Sequence, residues 1–591
     1  MTPLPLNEAK GLEWPSSQWR EADVEPETIR LLMSELKLSR TVARILAGRG
    51  QGTSELAKEF LHPRLASCIL PSDLPGITEA ADTIDRHLSA GSRMVVFGDF
   101  DTDGMTASCI LHSMLRRIGG DAVIFIPDRI NEGCGVTSNA FERCLAENPD
   151  AKLVVTVDCS IVHKEVCDTA FERGVELVVT DHHESGLETP RTIAACVNPC
   201  SPGTPEPLRH LCGAGVAFKL AHELARRHLP PRDGAAYMRS LTAVAAIGTI
   251  GDLVPLIGEN RVIASRGLDI LNRPPHGELI GLRALRNVVG IRGLIDAGNL
   301  AFVLVPRINA AGRVGNPHVA IELLSATDSS VAQRLAKQLV AFNNLRRQEE
   351  AAAVQAAQSA AALTPPDSNR SAIVLYNPDW HPGIVGIVAS RLSARNRLPT
   401  IVLTADKENG MLRGSARCPE IPGLDLMALL EHCRDDLSAF GGHRAAAGLS
   451  LPKQNLQSFT QHFCEVCRST EDTIDMRPES RIEAWIKPAE ANEALLQEIQ
   501  MVGPFGTLNP PPLLALRHVT LASNPTRFGR SAPNWRFDFR ETGIPGILFN
   551  REHMPFRAGD ALDIVFRYNR DNFNLLQFLI RDIRRSTAPA S

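Results

Sequence analysis

Five short runs rich in valine and isoleucine alternate with helical stretches between residues 93 and 199: RMVVFGD (93–99), AVIFIP (122–127), LVVTVDC (153–159), ELVVTDHH (176–183) and IAACVNP (193–199). The intervening segments, such as MTASCILHSMLRRIGG and IVHKEVCDTAFERG, carry apolar residues at helical spacing. Near-continuous apolar strands separated by helices specify a parallel sheet covered on both faces, because crossovers between parallel strands lay helices over the sheet. The chain is therefore α/β here. Its strands share one carboxyl edge, where open parallel sheets hold their ligands.

Charge collects at that edge. The first run ends in Asp99, Asp101 and Asp103, the third in Asp158, and the fourth in Asp181, His182 and His183. One aspartate after a strand is ordinarily a helix cap. Caps do not account for five aspartates and two histidines on three strand ends. Converging carboxylates repel one another, and oxygen ligands mixed with imidazole suit Mn²⁺ or Mg²⁺ better than zinc. Two adjacent divalent ions would neutralise the acids and supply a catalyst for phosphoester hydrolysis. Asp252, in GTIGDLVPL at the end of an apolar helix, can add a carboxylate from another side. A Walker loop is absent, and GAGVAF (213–218) is too short a glycine signal to cradle a nucleotide. A phospho-aspartate hydrolase does not account for the paired histidines.

The 591 residues exceed one compact core, so three or four domains are expected. The chain is 44% hydrophobic and 22% charged, an ordinary soluble composition, and no apolar run is long enough to span a bilayer. The start lacks the basic and apolar segments of a signal peptide. A cytoplasmic, membrane-free protein with reduced thiols is expected. Of 13 cysteines only Cys464 and Cys467 stand at metal-ligand spacing, without a second pair nearby, and read as thiols of an amphipathic helix. The net charge of −4 excludes a uniformly basic surface, so contact with nucleic acid must be local.

Residues 1–75 have helical patterning without evident chemistry. Residues 328–362 place Val331, Leu335, Leu339, Phe342 and Leu345 at helical spacing behind a capping Asp328. About 35 residues at 1.5 Å each make a rod of roughly 50 Å, long enough to join two domains. A second α/β unit opens with SAIVLYN (371–377) and closes near 452; its GSAR and GGHRAAAG let Ser415, Arg417 and His443 donate to a phosphate. The remainder reads as a small β-barrel. Residues 526–591 hold 11 Arg and no Lys against 7 Asp and Glu, with 10 of the chain's 29 aromatics. Trp535, Phe537 and Phe539 share one strand face and read as barrel core, while the arginines leave a basic face that suits single-strand binding.

In this order, VVFGDFDTDGMTAS, IPDRINEGCG, TVDCSI and VTDHHESG resemble the motifs of the DHH phosphoesterase superfamily. LCGAGVAFK, GTIGDLVPLIGENR, PRINAAGR, WHPGIVGIVASRL, GSAR and GGHRAAAG extend the resemblance to the bacterial RecJ family of single-strand exonucleases, from about residue 80 to the end. The resemblance implies a parallel-sheet DHH domain (76–327) after an N-terminal helical region (1–75). A connecting helix (328–363), a DHHA1 domain (364–467) and an OB-fold nucleic-acid-binding domain (468–591) follow. It puts Asp101, Asp103, Asp158, His182 and Asp252 on metal-ligand positions for two Mn²⁺ or Mg²⁺ ions, with Asp158 bridging. Asp99 is either an outer ligand or an acceptor that supports a ligand from behind, and Asp181 orients a histidine rather than binding metal. His183 falls where the family contacts the substrate phosphate. Arg129 and Arg313 match phosphate-contacting arginines, and Ser415, Arg417 and His443 help hold the 5′ end. Ser160 and Cys134 depart from the family's glycine and aromatic.

The resemblance further implies 5′→3′ hydrolysis of single-stranded DNA to mononucleotides, in recombination and repair, with single-strand-binding protein and a helicase as partners. Two other readings stand beside it: hydrolysis of short oligonucleotides or a small phosphate compound, and a non-catalytic scaffold. The C-terminal barrel argues against the first. The retained Asp and His at all five ligand positions argue against the second.

Overall fold

The computed structural model describes residues 17–587, apart from 130–131, 134, 160–163, 184–192, 274–278, 364–370, 407–409, 420, 422, 472–478, 530–532, 552 and 571–574. Cys134 and Ser160 lie outside the described residues, as does the TPPDSNR segment after the connecting helix. The chain divides into two compact units, residues 65–476 and residues 1–64 with 477–591.

The larger unit holds the expected parallel sheet. Strands β1 (Arg93–Gly98), β2 (Asp121–Phe125), β3 (Ala151–Val157), β4 (Glu176–Thr180) and β5 (Ala195–Val197) are ordered β2-β1-β3-β4-β5, all parallel. The β-branched residues of β1 and β3 are fully buried, as a sheet covered on both faces requires. The chain steps one way from β1 to β2, then crosses back to β3. The strand order therefore reverses between β1 and β3, and such a switch point opens a crevice beyond the carboxyl ends. Helices α1 (Thr102–Arg117), α2 (Gly213–His228) and α3 (Pro231–Gly251) pack into the same core, where Ile110, Leu111, Val216, Leu220 and Ile247 are inaccessible to solvent.

Helix α4 (Val305–Val314) precedes the 35-residue α5 (Ser329–Leu363), whose first amides Ser330 and Val331 donate to Asp328 Oδ1 at 2.9 Å. The two ends of α5 serve different cores. Ala332, Leu335, Ala336 and Leu339 belong to the core under the parallel sheet, whereas Ala353 and Ala357 pack with Ile384, Val385 and Val388 of α6 (Pro382–Asn396). The second α/β element has a mixed sheet: β6 (Ile373–Tyr376), β7 (Thr400–Ala405), β8 (Met411–Arg417), β9 (Ala439–His443) and β10 (Ala446–Pro452), in the order β9-β10-β8-β7-β6. Only β6 and β7 run parallel. Cys467 is buried beside Phe459 and Phe463 on the helix Leu456–Glu471, so it serves as a core residue.

In the smaller unit the N-terminal helices share a core with the C-terminal strands. Helices Pro26–Leu36 and Arg40–Gly48 bury Ile29, Leu32, Val42, Ile45 and Leu46 in one core with Leu514, Phe537, Phe566 and Phe578 of the seven-stranded C-terminal sheet. Strand Gln18–Glu21 pairs with Glu479–Ile482 in parallel, and Arg49 Nε donates to Glu483 Oε1 at 2.7 Å. Two short helices present too little apolar surface for a core of their own. Their stripe is completed by strands more than 450 residues away. Phe537 and Phe539 stack at 6.2 Å in this core, and Trp535 packs at its margin.

Candidate metal centre

Register brings the acids together. Gly98 pairs with Val157, Val157 with Thr180, and Thr180 with Val197, so the next residues on three adjacent strands, Asp99, Asp158 and Asp181, stand abreast at the carboxyl edge. Asp158 turns out of the edge with φ +57°, a left-handed conformation that aspartate tolerates better than most residues, while its amide still donates to Thr180 O at 3.1 Å.

Asp101 caps α1, accepting from the amides of Asp103 (2.9 Å) and Gly104 (3.2 Å). The first turn of α1 carries Asp103 into the interior, where its two oxygens accept from Gly213 N (2.7 Å) and Ala214 N (2.8 Å). The GAGVAF glycines thus open a helix whose free amides face a protein carboxylate rather than a nucleotide, and the helix dipole favours the charge there. Each carboxylate oxygen keeps a lone pair for a cation. Asn309 of α4 accepts from the amide (2.7 Å) and hydroxyl (2.6 Å) of Thr102, which ties the PRINAAGR helix to this turn. Glycines make the space: a Cβ on Gly104 would lie 2.6 Å from Asp99 Cβ, and one on Gly248 would lie 2.7 Å from Asp103 Oδ1.

His182 Nε2 stands 3.1 Å from Asp158 Oδ1 and 3.7 Å from both Asp103 Oδ2 and Asp252 Oδ2. Three sets of donor atoms fall within 4.8 Å: Asp103 with His182 and Asp252; Asp99 with Asp101 and Asp158; Asp158 with His182 and His183. Asp158 is shared by two of them. Asp99 stands in one of these sets beside Asp101 and Asp158. Asp99 Oδ1 and Asp158 Oδ1 are buried without a hydrogen bond.

The electrostatics show what the cluster lacks. Burial, then the Asp101 charge, pushes Asp99 up to about 8. Burial, then Asp103 and Asp101, does the same to Asp252. Asp103 is raised chiefly by burial, against the attraction of His182. Asp158 is driven well above the carboxylate range by burial and by four neighbouring aspartates. Burial lowers His182, keeping its ring neutral and able to ligate. Crowded, desolvated carboxylates with orphaned oxygens and a neutral imidazole fit divalent cations. His183 differs: the hydrogen bond from its Nδ1 to Asp181 Oδ1 (2.8 Å) raises it to about 9, and its ring is half-exposed.

Two clefts border this centre. One, of about 500 Å³, is walled by Arg129 and by Gly383, Ser415 and Gly448 of the second sheet's domain. Arg129 lies 4.4 Å over the Phe100 ring. Ser415 and Arg417 lie two apart on β8, hence on one face, against Gly386 and Ser390 of α6. Arg417 Nε donates to Ser390 Oγ at 3.1 Å, and Arg313 Nη1 to Gly383 O at 3.3 Å. Burial, then the charge of Arg129, lowers both Arg313, to about 10, and Arg417. Arg313 and Arg417, lowered by burial and by the charge of Arg129, form with it a site that favours an anion. His443 is not with them; it lines a second cleft of about 580 Å³ beside His182 and His183.

The DHH family N-terminal domain matches residues 93–249, the DHHA1 domain residues 369–469 and the RecJ OB domain residues 482–582. The single-stranded-DNA-specific exonuclease RecJ of Bacillus subtilis is 35% identical over 507 residues, which cover 85% of this chain. The chain spans 62% of that relative's length. The RecJ of Salmonella typhimurium is 30% identical, covering 95% of this chain and 98% of its own. The crystal structure of Thermus thermophilus RecJ with Mn²⁺ superimposes with a TM-score of 0.79 at 30% identity, covering 97% of this chain and 80% of the other; the same relative with Mg²⁺ gives 0.74. This chain belongs to the RecJ family.

The RecJ relatives with Mn²⁺ and Mg²⁺ agree with the donor chemistry found here. Of the residues singled out in the sequence, the structure groups the acids with both histidines and sets Arg129, Arg313 and Arg417 near one another. Sequence reasoning missed the amides of Gly213 and Ala214 that hold Asp103, and the Asn309 tie to Thr102. Only the glycines of GAGVAF and the asparagine of PRINAAGR signalled them. Among the described residues no helix is long and apolar enough to cross a membrane.

Proposed function

We propose that this chain is a metal-dependent exonuclease that hydrolyses single-stranded DNA from its 5′ end to mononucleotides. The observation that carries the reading is the crevice between β1 and β3, where grouped carboxylates and His182 adjoin a cleft lined by Arg129, Gly383 and Ser415, with Arg313 bonded to Gly383 and Arg417 beside Ser415. Asp101, Asp103, His182 and Asp252 would hold two Mn²⁺ or Mg²⁺ ions with Asp158 between them, and Asp99 completes the Asp101 side. Such a pair, when bound, acidifies water and offsets the charge that builds on phosphoryl oxygens.

The chain's own groups do the rest. His183, held through Nδ1 by Asp181, offers its Nε2–H to an oxygen of the scissile phosphate. Arg129, Arg313, Ser415 and Arg417 hold a terminal phosphate, which carries more charge than an internal one and so gains more from three guanidinium groups. The first nucleotide then lies between its own 5′ phosphate and the scissile bond, and each cut releases one unit. By family resemblance we assign the protein to recombination and repair in the cytoplasm, working with single-strand-binding protein and a helicase.

The test is hydrolysis of 5′-labelled and 3′-labelled single strands with and without Mn²⁺. Immediate release of the 5′ label as mononucleotide, with stepwise shortening of the 3′-labelled strand, is expected only with metal. Internal fragments at early times, or release of the 3′ label first, would exclude it.

A further inference from the structure

The second cleft has the makings of a nucleotide site. It is lined by His182 and His183, by Arg209 and His210 from the segment before α2, by Val254 from the segment after α3, and by His443 from the end of β9. Its walls are braced. Asn260, almost fully buried, donates through Nδ2 to the carbonyls of both His210 and Pro255, locking the two segments together. Arg209 Nε donates to Thr204 O at 3.0 Å, which anchors the guanidinium, and its terminal nitrogens have no protein partner among the described residues. No Asp or Glu is among the described residues that line the cleft, although carboxylates crowd the metal centre next to it. Pro199, Leu211 and Val254 supply apolar surface for a sugar or base, and about 580 Å³ lies within the range of small-ligand pockets.

Direction follows from the two clefts. A strand whose 5′ phosphate rests among Arg129, Arg313 and Arg417 crosses the donors at β1 and β3 and must continue past His182 and His183. His182 and His183 line this cleft. We propose that it binds the nucleotide immediately 3′ of the scissile bond, with Arg209 gripping that nucleotide's own 3′ phosphate, the second linkage of the strand, and His443 facing it from the second sheet. The proposal rests on the exonuclease reading above. It assigns the departing strand a charged grip of its own, separate from end recognition.

The experiment measures single-turnover release of the first nucleotide from 5′-phosphorylated, 5′-labelled strands in Mn²⁺. One strand is unmodified, one has an uncharged methylphosphonate at the second linkage and one has it at the fifth. In wild type the second-linkage substitution should slow release roughly tenfold and the fifth-linkage one much less. Arg209→Gln should slow the unmodified strand by a similar factor and add less than twofold on the second-linkage strand, while Arg209→Lys keeps part of the rate. Anisotropy of 3′-labelled strands in EDTA should show the same non-additivity in binding. Equal sensitivity to the second-linkage substitution in wild type and Arg209→Gln, or none in wild type, would overturn the subsite. If wild type released no 5′ label from any strand, the exonuclease reading would fall, and the EDTA binding arm would still decide whether Arg209 reads that phosphate.

Discussion

Gly213 and Asp158 occupy a space with no room for a methyl group: a Cβ on Gly213 would stand 2.4 Å from Asp158 Cβ and 2.7 Å from Oδ1. The same glycine's amide holds Asp103. One backbone position thus sets two of the carboxylates. Gly213→Ala must push Asp158 or the start of α2 aside, and a shift near 1 Å at reacting groups costs on the order of a hundredfold in rate. The expected outcome is that loss, with weaker Mn²⁺ binding and about 1–3 kcal/mol less stability from overpacking. Wild-type turnover in Gly213→Ala would mean that the site tolerates a displaced Asp158.

Asp158→Ala removes the carboxylate shared by two donor sets. Hydrolysis should fall at least on the order of a thousandfold, about 4 kcal/mol of transition-state stabilisation. Single-strand affinity should change little, because the residue is buried beneath the clefts. Near-normal turnover of the purified variant would remove Asp158 from the bridging role.

The donor cluster also makes stability depend on pH. Asp99 and Asp252 sit at about 8 in the metal-free fold, raised by burial and by neighbouring aspartates. An unfolded aspartate titrates near ~4. Groups raised in this way favour folding most fully below about pH 4, and that contribution is lost as pH climbs to about 8. Metal reverses the sign, since bound cations favour the ionised form. The rise in Tm caused by Mn²⁺ should therefore grow from pH 6 to pH 8, with proton release visible by titration calorimetry in buffers of different ionisation enthalpy. A pH-independent rise would show that these carboxylates are not the ones titrating against metal.

What could be read from the sequence was local. β-branched runs that alternate with helices announced the parallel sheet, and the acids follow those runs directly, so Asp99, Asp158 and Asp181 could be put on one edge before their register was known. What could not be read depends on contacts distant in the chain. Gly213 meets Asp158 only because α2 begins against the end of β3. Helix Arg40–Gly48 completes a core with strands around Phe537 and Phe566, for which no local signal exists. The small residues of GSAR and GGHRAAAG group His443 with Ser415 and Arg417 as phosphate donors, whereas the fold puts His443 on the cleft beside His182 and His183.

A duplex about 20 Å across, the two grooves together, is too wide for clefts of about 500 and 580 Å³ shared by two domains. Blunt duplex should be hydrolysed negligibly, and duplex with a 5′ single-stranded tail should be degraded well. Equal rates on the two would exclude this gate.

End recognition gives the last expectation. The donor atoms at β1 and β3 see only a phosphodiester, so something else must tell a chain end from its interior. A terminal phosphate exposes one more oxygen and more charge than an internal one. Arg417, on the same strand face as Ser415 and within electrostatic reach of Arg129, is placed to read that difference. Charge-assisted hydrogen bonds contribute about 1.5–3 kcal/mol each. Arg417→Ala should therefore lower kcat/KM on 5′-phosphorylated strands by roughly tenfold to a hundredfold and affect 5′-hydroxyl strands much less. Arg417 also donates to Ser390 Oγ, so Ser390→Ala serves as the control for a purely structural effect: it removes that bond while keeping the guanidinium and should leave most of the preference. The measurement is the ratio of kcat/KM for the two ends in each protein at one Mn²⁺ concentration. An unchanged ratio in Arg417→Ala would move end recognition to Arg129 and Arg313 and leave Arg417 as an ordinary backbone contact.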